Sequence, residues 1–251
     1  MPPRYAVTFD VDWAPDWAIA LCAGLCRERG IPATFFATHA SPVLDELRRD
    51  PLFEVGIHPN FLAGSTHGAT FEEVMAFCLN MFPEARAMRS HDLFSCSSLI
   101  ALIISRFGQI RTDSSLFLPG AASCDPSVLY HGNPVGALVR VPFSFADNVA
   151  ARSPGWRWDA EPKHSGETMV FDFHPSLVAL NLGKPGAYPQ LKSALAGRPL
   201  QLASRDDFAP YVNAGAGART YLKYLLECLA PADCATISTF AAAHVGSADR
   251  S

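Results

Sequence analysis

The stretch YAVTFDVDW, residues 5–13, places two carboxylates at the end of a hydrophobic run. Its β-branched and aromatic residues predict a buried strand over residues 5–11. Because side chains alternate between the two faces of a strand, Asp10 and Asp12 would point to the same face. Two like charges on one face repel, and burying them is costly without a cation or hydrogen-bond donors. A metal ion is the simplest offset; the alternative is that Asp12 caps the helix that follows.

Strand-like and helix-like segments alternate along the rest of the chain. This alternation is typical of β-α-β units, which form a parallel sheet with right-handed crossovers. The sequence therefore predicts an α/β fold with a (β/α) barrel, as one domain over residues 1–251. Segments 118–136 and 181–199 are rich in Pro and Gly, and we interpret them as long loops. The predicted strands are 5–11, 32–38, 53–58, 85–91, 138–145 and 168–175, and the predicted helices are 17–30, 42–50, 71–82, 94–108 and 218–230.

Composition and charge argue against several classes of protein. A hydrophobic fraction of 49% with 18% charged residues is typical of a globular domain. The net charge of −4, with scattered Lys and Arg, provides no basic surface for nucleic acid. No apolar run reaches the ~20 residues of a membrane span, and the segment MPPR before the first strand is too short for a signal peptide. We therefore expect a cytoplasmic protein without a membrane span.

The seven cysteines have no repeated short spacing, and their number is odd. This pattern indicates neither a disulfide framework nor a zinc knuckle, so we expect reduced thiols. Cys22 and Cys26 lie one helical turn apart, among apolar residues that predict packing in the core.

Polar residues collect where the predicted strands end. In α/β proteins the ligand lies beyond the carboxyl ends of the strands. Five strand ends carry acid, imidazole or guanidinium groups, which predicts a functional site at that end of the barrel. These residues are Asp10, Asp12, His58, Arg89, His91, Asp147 and His174.

Two histidines follow the third predicted strand in the segment EVGIHPNFLAGSTHGATFEEV. Neutral imidazoles suit zinc, and two histidines with one carboxylate and an open position form a catalytic kind of metal site. His58 and His67 therefore become candidate ligands. For His67 the alternative is a role at the start of a helix, since Thr70 and Glu73 match a capping box.

Arg89 and His174 are the other two candidates, in the segments MRSHDLF and MVFDFHP. An arginine in a carboxylate-rich pocket can hold a general base ionised and oriented. A histidine at a strand end of the same pocket is suited to proton transfer. The alternatives are a surface ion pair for Arg89 and a hydrogen bond to a backbone carbonyl for His174.

Four motifs in this order, TFDVDW, GIHPN…STHG, RSHDL and FDFHP, resemble those of the NodB-type polysaccharide deacetylases. The resemblance covers about residues 5 to 175, and is greatest to divergent members linked to surface-polysaccharide clusters. It implies a distorted (β/α) barrel and a divalent metal held by one aspartate and two histidines, with zinc as the preferred ion.

The resemblance also implies a role for each matching residue. Asp10 matches the catalytic base, and Asp12 matches the metal-binding acid. His58 matches the first metal histidine, Arg89 the arginine that tethers the base, and His174 the general acid.

The sequence departs from the family pattern at three motifs. His58 and His67 are nine positions apart instead of one helical turn, so Asn60 or His91 could complete the metal site instead. The arginine motif RSHDL lacks the usual Pro and Gly. The acidic, tryptophan-bearing fourth motif has only SFADN, with Asp147, as a counterpart.

The leading hypothesis is a metal-dependent deacetylase that hydrolyses an N-acetyl or other N-acyl group on a sugar or polysaccharide precursor. One alternative keeps the metal but has a small amide, imide or formamide as substrate. Another is a carbohydrate-binding protein of the same fold without activity. The segment NAGAGART (213–220) lacks the lysine of a phosphate loop, and we interpret it as a loop leading into a helix.

Overall fold

The structure, a computed structural model, describes residues 2–132, 135–162 and 168–248. The strands are β1 Tyr5–Asp10, β2 Ala33–Ala37, β3 Phe53–Ile57, β4 Ala87–Met88, β5 Thr112–Asp113, β6 Ser127–His131, β7 Gly136–Arg140, β8 Phe145–Ala146 and β9 Met169–Phe173. The helices are α1 Asp16–Arg29, α2 Pro42–Leu47, α3 Phe71–Met81, α4 Ser97–Arg106, α5 Asp147–Ala150, α6 Pro175–Ala179, α7 Ala187–Ala194, α8 Arg205–Phe208, α9 Ala218–Cys228 and α10 Ile237–Ala248.

All nine strands belong to one curled sheet, in the order β6-β7-β5-β4-β3-β2-β1-β9-β8. Every neighbouring pair is parallel except β6 and β7, which form an antiparallel hairpin at one edge. The strands β6 and β8 remain as edges in the described part of the chain, so the barrel is distorted and incomplete. The predicted distorted (β/α) barrel is confirmed, as a curled sheet that stays open between β6 and β8 in the described ranges.

The strand β1 is buried on both faces. Val7 and Phe9 point outward and pack in the core beneath the surrounding helices, where the Phe9 ring stacks on Phe35 at 4.6 Å between centroids. Ala6 points inward to a second, smaller core inside the barrel. Since the side chains alternate, Asp10 shares the inward face with Ala6. Asp10 therefore lies at the carboxyl end of the barrel interior.

The helix α10 lies across the amino end of the barrel. Ile237 and Phe240 pack in the inner core, and the Ile237 amide donates a hydrogen bond to Thr34 Oγ1 at 2.8 Å. The segment before this helix pairs with the start of β1, where the Ala235 amide donates to the Tyr5 carbonyl at 3.0 Å. The amino end is therefore covered by protein, and the carboxyl end is where polar residues line a cavity.

Two local predictions about helix ends are confirmed. Gly30 ends α1 with φ of 65°, a left-handed conformation that glycine adopts at little cost, and its amide donates to the Arg27 carbonyl. Thr70 and Glu73 form the predicted capping box at the start of α3. These signals are local, which is why the sequence alone reveals them.

Other predictions of elements need correction. The predicted strand 85–91 is reduced to the two residues of β4, and 138–145 is split between β7 and β8. The predicted loop 118–136 contains β6, and the predicted loop 181–199 contains α7. The strand β6 has exposed and half-buried residues throughout, so it lacks the hydrophobic alternation that marks a strand in sequence.

The segment NAGAGART is a loop leading into α9, as expected. Its backbone carbonyls are held by two asparagine side chains: Asn181 Nδ2 donates to Gly215 O at 2.7 Å, and Asn213 Nδ2 donates to Ala216 O at 2.8 Å. The seven cysteines are free thiols. In the described ranges, no helix combines the length and apolar character needed to cross a membrane.

Candidate active site

The carboxyl ends of β1, β3, β4 and β9 meet at one end of the barrel, as expected for neighbouring parallel strands. They bring five of the predicted strand-end residues together around a cavity of about 240 Å³, which we call the catalytic pocket. Acidic, imidazole and apolar side chains line it. The lining residues are Asp10, Asp12, His58, His91, Asp92, Leu93, Phe117, Phe143, Ala146, Asn148, Val149, Arg152, Asp172 and His174.

Arg89 follows β4 and is completely buried beneath this pocket. Its Nη1 donates to Asp10 Oδ1 and to Thr8 Oγ1, each at 2.9 Å, and also contacts Asp172 Oδ1. Its Nη2 donates to Ser114 Oγ at 2.9 Å. The guanidinium therefore fixes one oxygen of Asp10 and leaves the other, Oδ2, facing the pocket, 3.9 Å from the Nε2 atom of His58.

Two aromatic rings hold the Arg89 guanidinium between them. The Phe36 centroid lies 4.6 Å from Arg89 Cζ and the Phe143 centroid lies 4.3 Å from it. Stacking of this kind is specific to the planar guanidinium and restricts its position. Arg89 is thus a rigid positioning group for Asp10, and it is not the surface ion pair of the alternative interpretation.

Replacing Arg89 by methionine is expected to lower the free energy of unfolding by about 3 kcal/mol, because two buried carboxylates would lose their cation. Urea unfolding of the metal-free protein measures this change. The control is Arg27→Met, which breaks the exposed pair with Asp50 at 2.9 Å and should cost less than about 1 kcal/mol. Equal effects of the two substitutions would contradict the structural role assigned to Arg89.

Asp172 is a site residue that the sequence interpretation missed. It lies on β9, 1% exposed, and shares the Arg89 guanidinium with Asp10. Burial raises the pKa of its carboxyl, which the charge of Arg89 opposes and the charge of Asp10 reinforces. The sequence did contain a signal for Asp172. It lies two positions before His174, so strand alternation places both side chains on the same face.

His174 follows β9 and is oriented by Asp147 at the start of α5. Asp147 is completely buried; its Oδ1 accepts from His174 Nδ1 at 2.7 Å and its Oδ2 accepts from the His174 amide at 2.9 Å. Burial lowers the pKa of the imidazole, but the charge and hydrogen bond of Asp147 outweigh it and raise the pKa of His174 well above its usual value. The Nε2–H group is left to face the pocket, 3.6 Å from Asp12 Oδ2.

Asp12 reaches the pocket in a different way from the one expected. β1 ends at Asp10, and Asp12 and Trp13 both lie in the left-handed region, with φ of 47° and 55°. The Trp13 amide donates to Thr38 Oγ1 at 2.9 Å, which holds this turn against the end of β2. Consecutive left-handed residues other than glycine are strained and are concentrated at functional sites. The turn, and not strand alternation, brings Asp12 beside Asp10.

Asp12, His58 and His91 form a compact group of donors, which we call the ligand triad. Asp12 Oδ1 lies 3.2 Å from His58 Nε2 and 3.0 Å from His91 Nδ1, and the two histidine nitrogens are 3.3 Å apart. Burial would raise the pKa of Asp12, but hydrogen bonds with the two imidazoles hold it well below its usual value. Asp12 is therefore ionised, as a metal ligand must be.

The ligand triad fits a divalent cation in its chemistry. His58 Nδ1 lies 2.7 Å from the Arg89 carbonyl, which can only accept, so Nδ1 donates there and Nε2 is the nitrogen left for an ion, which would replace the proton that Nε2 shares with Asp12. One carboxylate with two imidazoles is a donor set that zinc prefers. The three ligand atoms lie within 4.8 Å of one another. The side of the ligand triad that has no protein donor among the described residues faces the catalytic pocket.

The structure does not bring His67 to the triad. Its Nε2 donates to the Thr38 carbonyl at 2.9 Å, and its Nδ1 accepts from the Asn60 amide at 3.1 Å. Burial also lowers the pKa of His67, so the ring stays neutral and ties two loops together. With both ring nitrogens engaged by protein, His67 has no free lone pair for an ion.

Asn60 and His91, the two residues considered in place of His67 as the third ligand, differ in position. The Asn60 side-chain oxygen Oδ1 accepts from the Leu62 amide at 3.0 Å, and Asn60 does not line the catalytic pocket. His91 occupies the position instead, because a short 3₁₀ turn at 91–93 follows Arg89 and Ser90, with Asp92 and Leu93 left-handed.

The chain is similar in sequence and fold to known proteins. A family model described as "WbmS-like: Polysaccharide deacetylase" matches residues 7–192. The crystal structure of WbmS from Bordetella bronchiseptica, a candidate polysaccharide deacetylase involved in O-antigen biosynthesis, has 31% sequence identity and a TM-score of 0.76 and covers 90% of each chain.

A remote match is the crystal structure of the Bc1960 peptidoglycan N-acetylglucosamine deacetylase in complex with a hydroxamate-type ligand, an N-oxidanyl-benzamide. It has 11% identity and a TM-score of 0.42, over 83% of this chain and 79% of the other. A likeness this low does not bear on function. A search of curated proteins found no matching relative.

Proposed function

The chain belongs to the WbmS-like family of polysaccharide deacetylases, and from this premise we propose that it is a metal-dependent hydrolase that removes an N-acetyl group from a sugar of a polysaccharide precursor. The observation that carries the proposal is that two oriented proton-transfer groups lie beside the ligand triad. Asp10, held by Arg89, has its Oδ2 atom 3.9 Å from His58 Nε2, and His174, held by Asp147, has its Nε2 atom 3.6 Å from Asp12 Oδ2.

The residues proposed to hold the ion are Asp12, His58 and His91, with His91 replacing the His67 of the sequence interpretation. Zinc is the preferred ion on the basis of the two imidazole donors. When bound, such an ion supplies a Lewis acid that polarises an acyl carbonyl and lowers the pKa of water. The protein residues around it bind and orient the substrate and move protons.

Asp10 is the proposed general base. Arg89 holds its Oδ1, so Oδ2 is presented to the pocket in a fixed orientation. In the first step Oδ2 takes a proton from the attacking water while the new carbon–oxygen bond to the acyl carbon forms. Arg89 also offsets part of the negative charge that Asp10 and Asp172 bring beneath the pocket.

His174 is the proposed general acid. Asp147 accepts from Nδ1 and raises the pKa of the ring, so Nε2 carries the proton that the reaction needs. In the second step Nε2–H protonates the departing nitrogen as the carbon–nitrogen bond breaks. The electron pair that the acyl oxygen takes up in the first step re-forms the carbonyl bond in the second. The products are acetic acid, which ionises to acetate in solution, and the free amine of the sugar, and the proton taken by Asp10 balances the one given by His174.

Acetate release from N-acetylated sugars before and after removal of metal tests this function. We expect the zinc-loaded protein to release acetate from N-acetylglucosamine oligosaccharides, to lose this activity on chelation, and to regain it with about one equivalent of zinc per chain. Elemental analysis of the same samples gives the metal content.

The two alternative functions make different predictions in the same experiment. Ring opening of cyclic amides, or release of formate from formamides, without acetate from any sugar, would favour the small-amide hydrolase. Uptake of neither zinc nor another divalent ion, with carbohydrate binding retained, would favour the protein without activity. Either result would contradict the proposed deacetylase.

A further inference from the structure

The catalytic pocket continues past Asp12 and His174 into a second cavity of about 150 Å³, which we call the side pocket. Asn148 and Arg152 also line both cavities, so the two form one groove with these four residues at their junction. The rest of the side pocket is mainly apolar. Its other lining residues are Ala151, Ser176, Leu177, Leu182, Pro185, Tyr188 and Pro189.

Nearly every carboxylate in or beneath the groove already has a cationic or imidazole partner. Asp10 and Asp172 share Arg89, and Asp147 is paired with His174. Asp12 lies within the ligand triad. None of these acids is therefore left to neutralise a further cation beside them.

Arg152 is that further cation. Its side chain is exposed, it is the single Lys or Arg among the residues that line either cavity, and it has no ion pair in the described part of the chain. Asn148 lies four positions earlier on the short helix α5, which ends at Ala150, and both residues line both cavities. The same helix begins with Asp147, which places Arg152 about one turn beyond the residue that orients His174.

Two buried polar atoms at the groove lack partners. Ser176 is 2% exposed and lines the side pocket, yet its hydroxyl has no hydrogen-bond partner among the described residues. The same holds for the side-chain oxygen of Asn148. Leaving such groups unpaired costs free energy, which a polar ligand in the groove would recover.

We propose that Arg152, with Asn148 and Ser176, forms a subsite for an anionic group of the substrate, a carboxylate or a phosphate attached next to the sugar that is deacetylated. This proposal rests on the proposed function, since it places the reacting N-acetyl group beside Asp10 and His174. Arg152 donates to the anion with its planar fork of N–H groups, while Asn148 and Ser176 bind hydroxyl groups of the sugar.

The charge distribution along the groove determines the orientation of the substrate in it. Asp92 lines the catalytic pocket, is absent from the side pocket, and has no ion pair in the ranges that the structure describes. An anion beside Asp92 would be repelled, whereas one on the side-pocket face of Arg152 would be attracted. The anionic group therefore extends from the reacting sugar toward the side pocket.

Two matched pairs of ligands test the subsite and identify the anion. The first pair is N-acetylglucosamine linked to glucuronic acid or to glucose, which differ in one carboxylate. The second is N-acetylglucosamine 1-phosphate and its methyl glycoside. Dissociation constants are measured by calorimetry on the zinc-loaded Asp10→Asn protein, so that turnover does not interfere, and kcat/KM for acetate release is measured without that substitution.

Adding Arg152→Gln is expected to weaken binding of the charged member of at least one pair by tenfold or more, and that of the neutral members by less than twofold. Arg152→Lys should give an intermediate loss, because it keeps the charge without the fork. The control is Arg157→Gln, which removes the same charge five positions away and outside the groove, and should change no ligand by more than twofold.

A loss shared equally by charged and neutral ligands, or no loss, would overturn the subsite. Which pair responds tells whether the anion is a carboxylate or a phosphate. Failure of the proposed function has a different signature: no acetate released from any of the four ligands, with the discrimination by Arg152 still present in the dissociation constants.

Discussion

Replacing Asp10 by asparagine is expected to lower kcat for acetate release by about 10³-fold, because a positioned general base contributes 10²–10⁴-fold to rate. Asparagine keeps the size of the side chain, and its amide oxygen can still accept the hydrogen bond of Arg89 Nη1, which is 2.9 Å long in the structure. What it loses is the basic oxygen that faces the pocket. Steady-state kinetics with N-acetylglucosamine oligosaccharides measure the effect.

Zinc content separates this role from metal binding. Asp10→Asn should bind zinc as the unmodified protein does, since Asp10 is outside the ligand triad, whereas Asp12→Ala should lose both zinc and activity. Asp159→Asn serves as a control at an exposed acid far from the pocket linings. If the Asp10→Asn protein retained full activity, the assignment of the base would be wrong.

The fold could be predicted from sequence because its signals are local and periodic. Strand alternation in YAVTFDV and the glycine after α1 follow from the geometry of a few consecutive residues, and the structure agrees with them. The convergence of Asp10, His58, Arg89 and His174 could be predicted as well, since parallel strands must end together. The assignment of chemical roles to those residues remains a proposal.

What could not be predicted depends on contacts between distant parts of the chain. The Asp12–Trp13 turn is left-handed although neither residue is glycine, and it is held by Thr38, 25 positions later. His91 could be named from the sequence as a candidate ligand, but the choice of His91 over His67 and Asn60 depends on a contact with His58, more than thirty positions earlier. No spacing rule links such residues, so their arrangement emerges only when β1, β3 and β4 lie side by side.

His67 and His91 provide the sharpest test of the metal site. His91→Ala is expected to weaken zinc binding roughly 100-fold or more, because losing even a partner of a metal ligand costs 10–100-fold and His91 is itself a proposed ligand. His67→Ala should leave zinc affinity nearly unchanged. Competition with a zinc chelator of known affinity, followed by elemental analysis, measures both.

The effects of the two substitutions on the free energy of unfolding should rank in the opposite order to their effects on zinc binding. His67 donates to the Thr38 carbonyl and accepts from the Asn60 amide, so His67→Ala would leave two buried backbone groups unpaired and lower the free energy of unfolding by about 2 kcal/mol. His91 is half-buried, and in the metal-free protein its removal should cost less. Loss of zinc binding in His67→Ala but not in His91→Ala would assign the metal site to His58 and His67, and would refute the ligand triad.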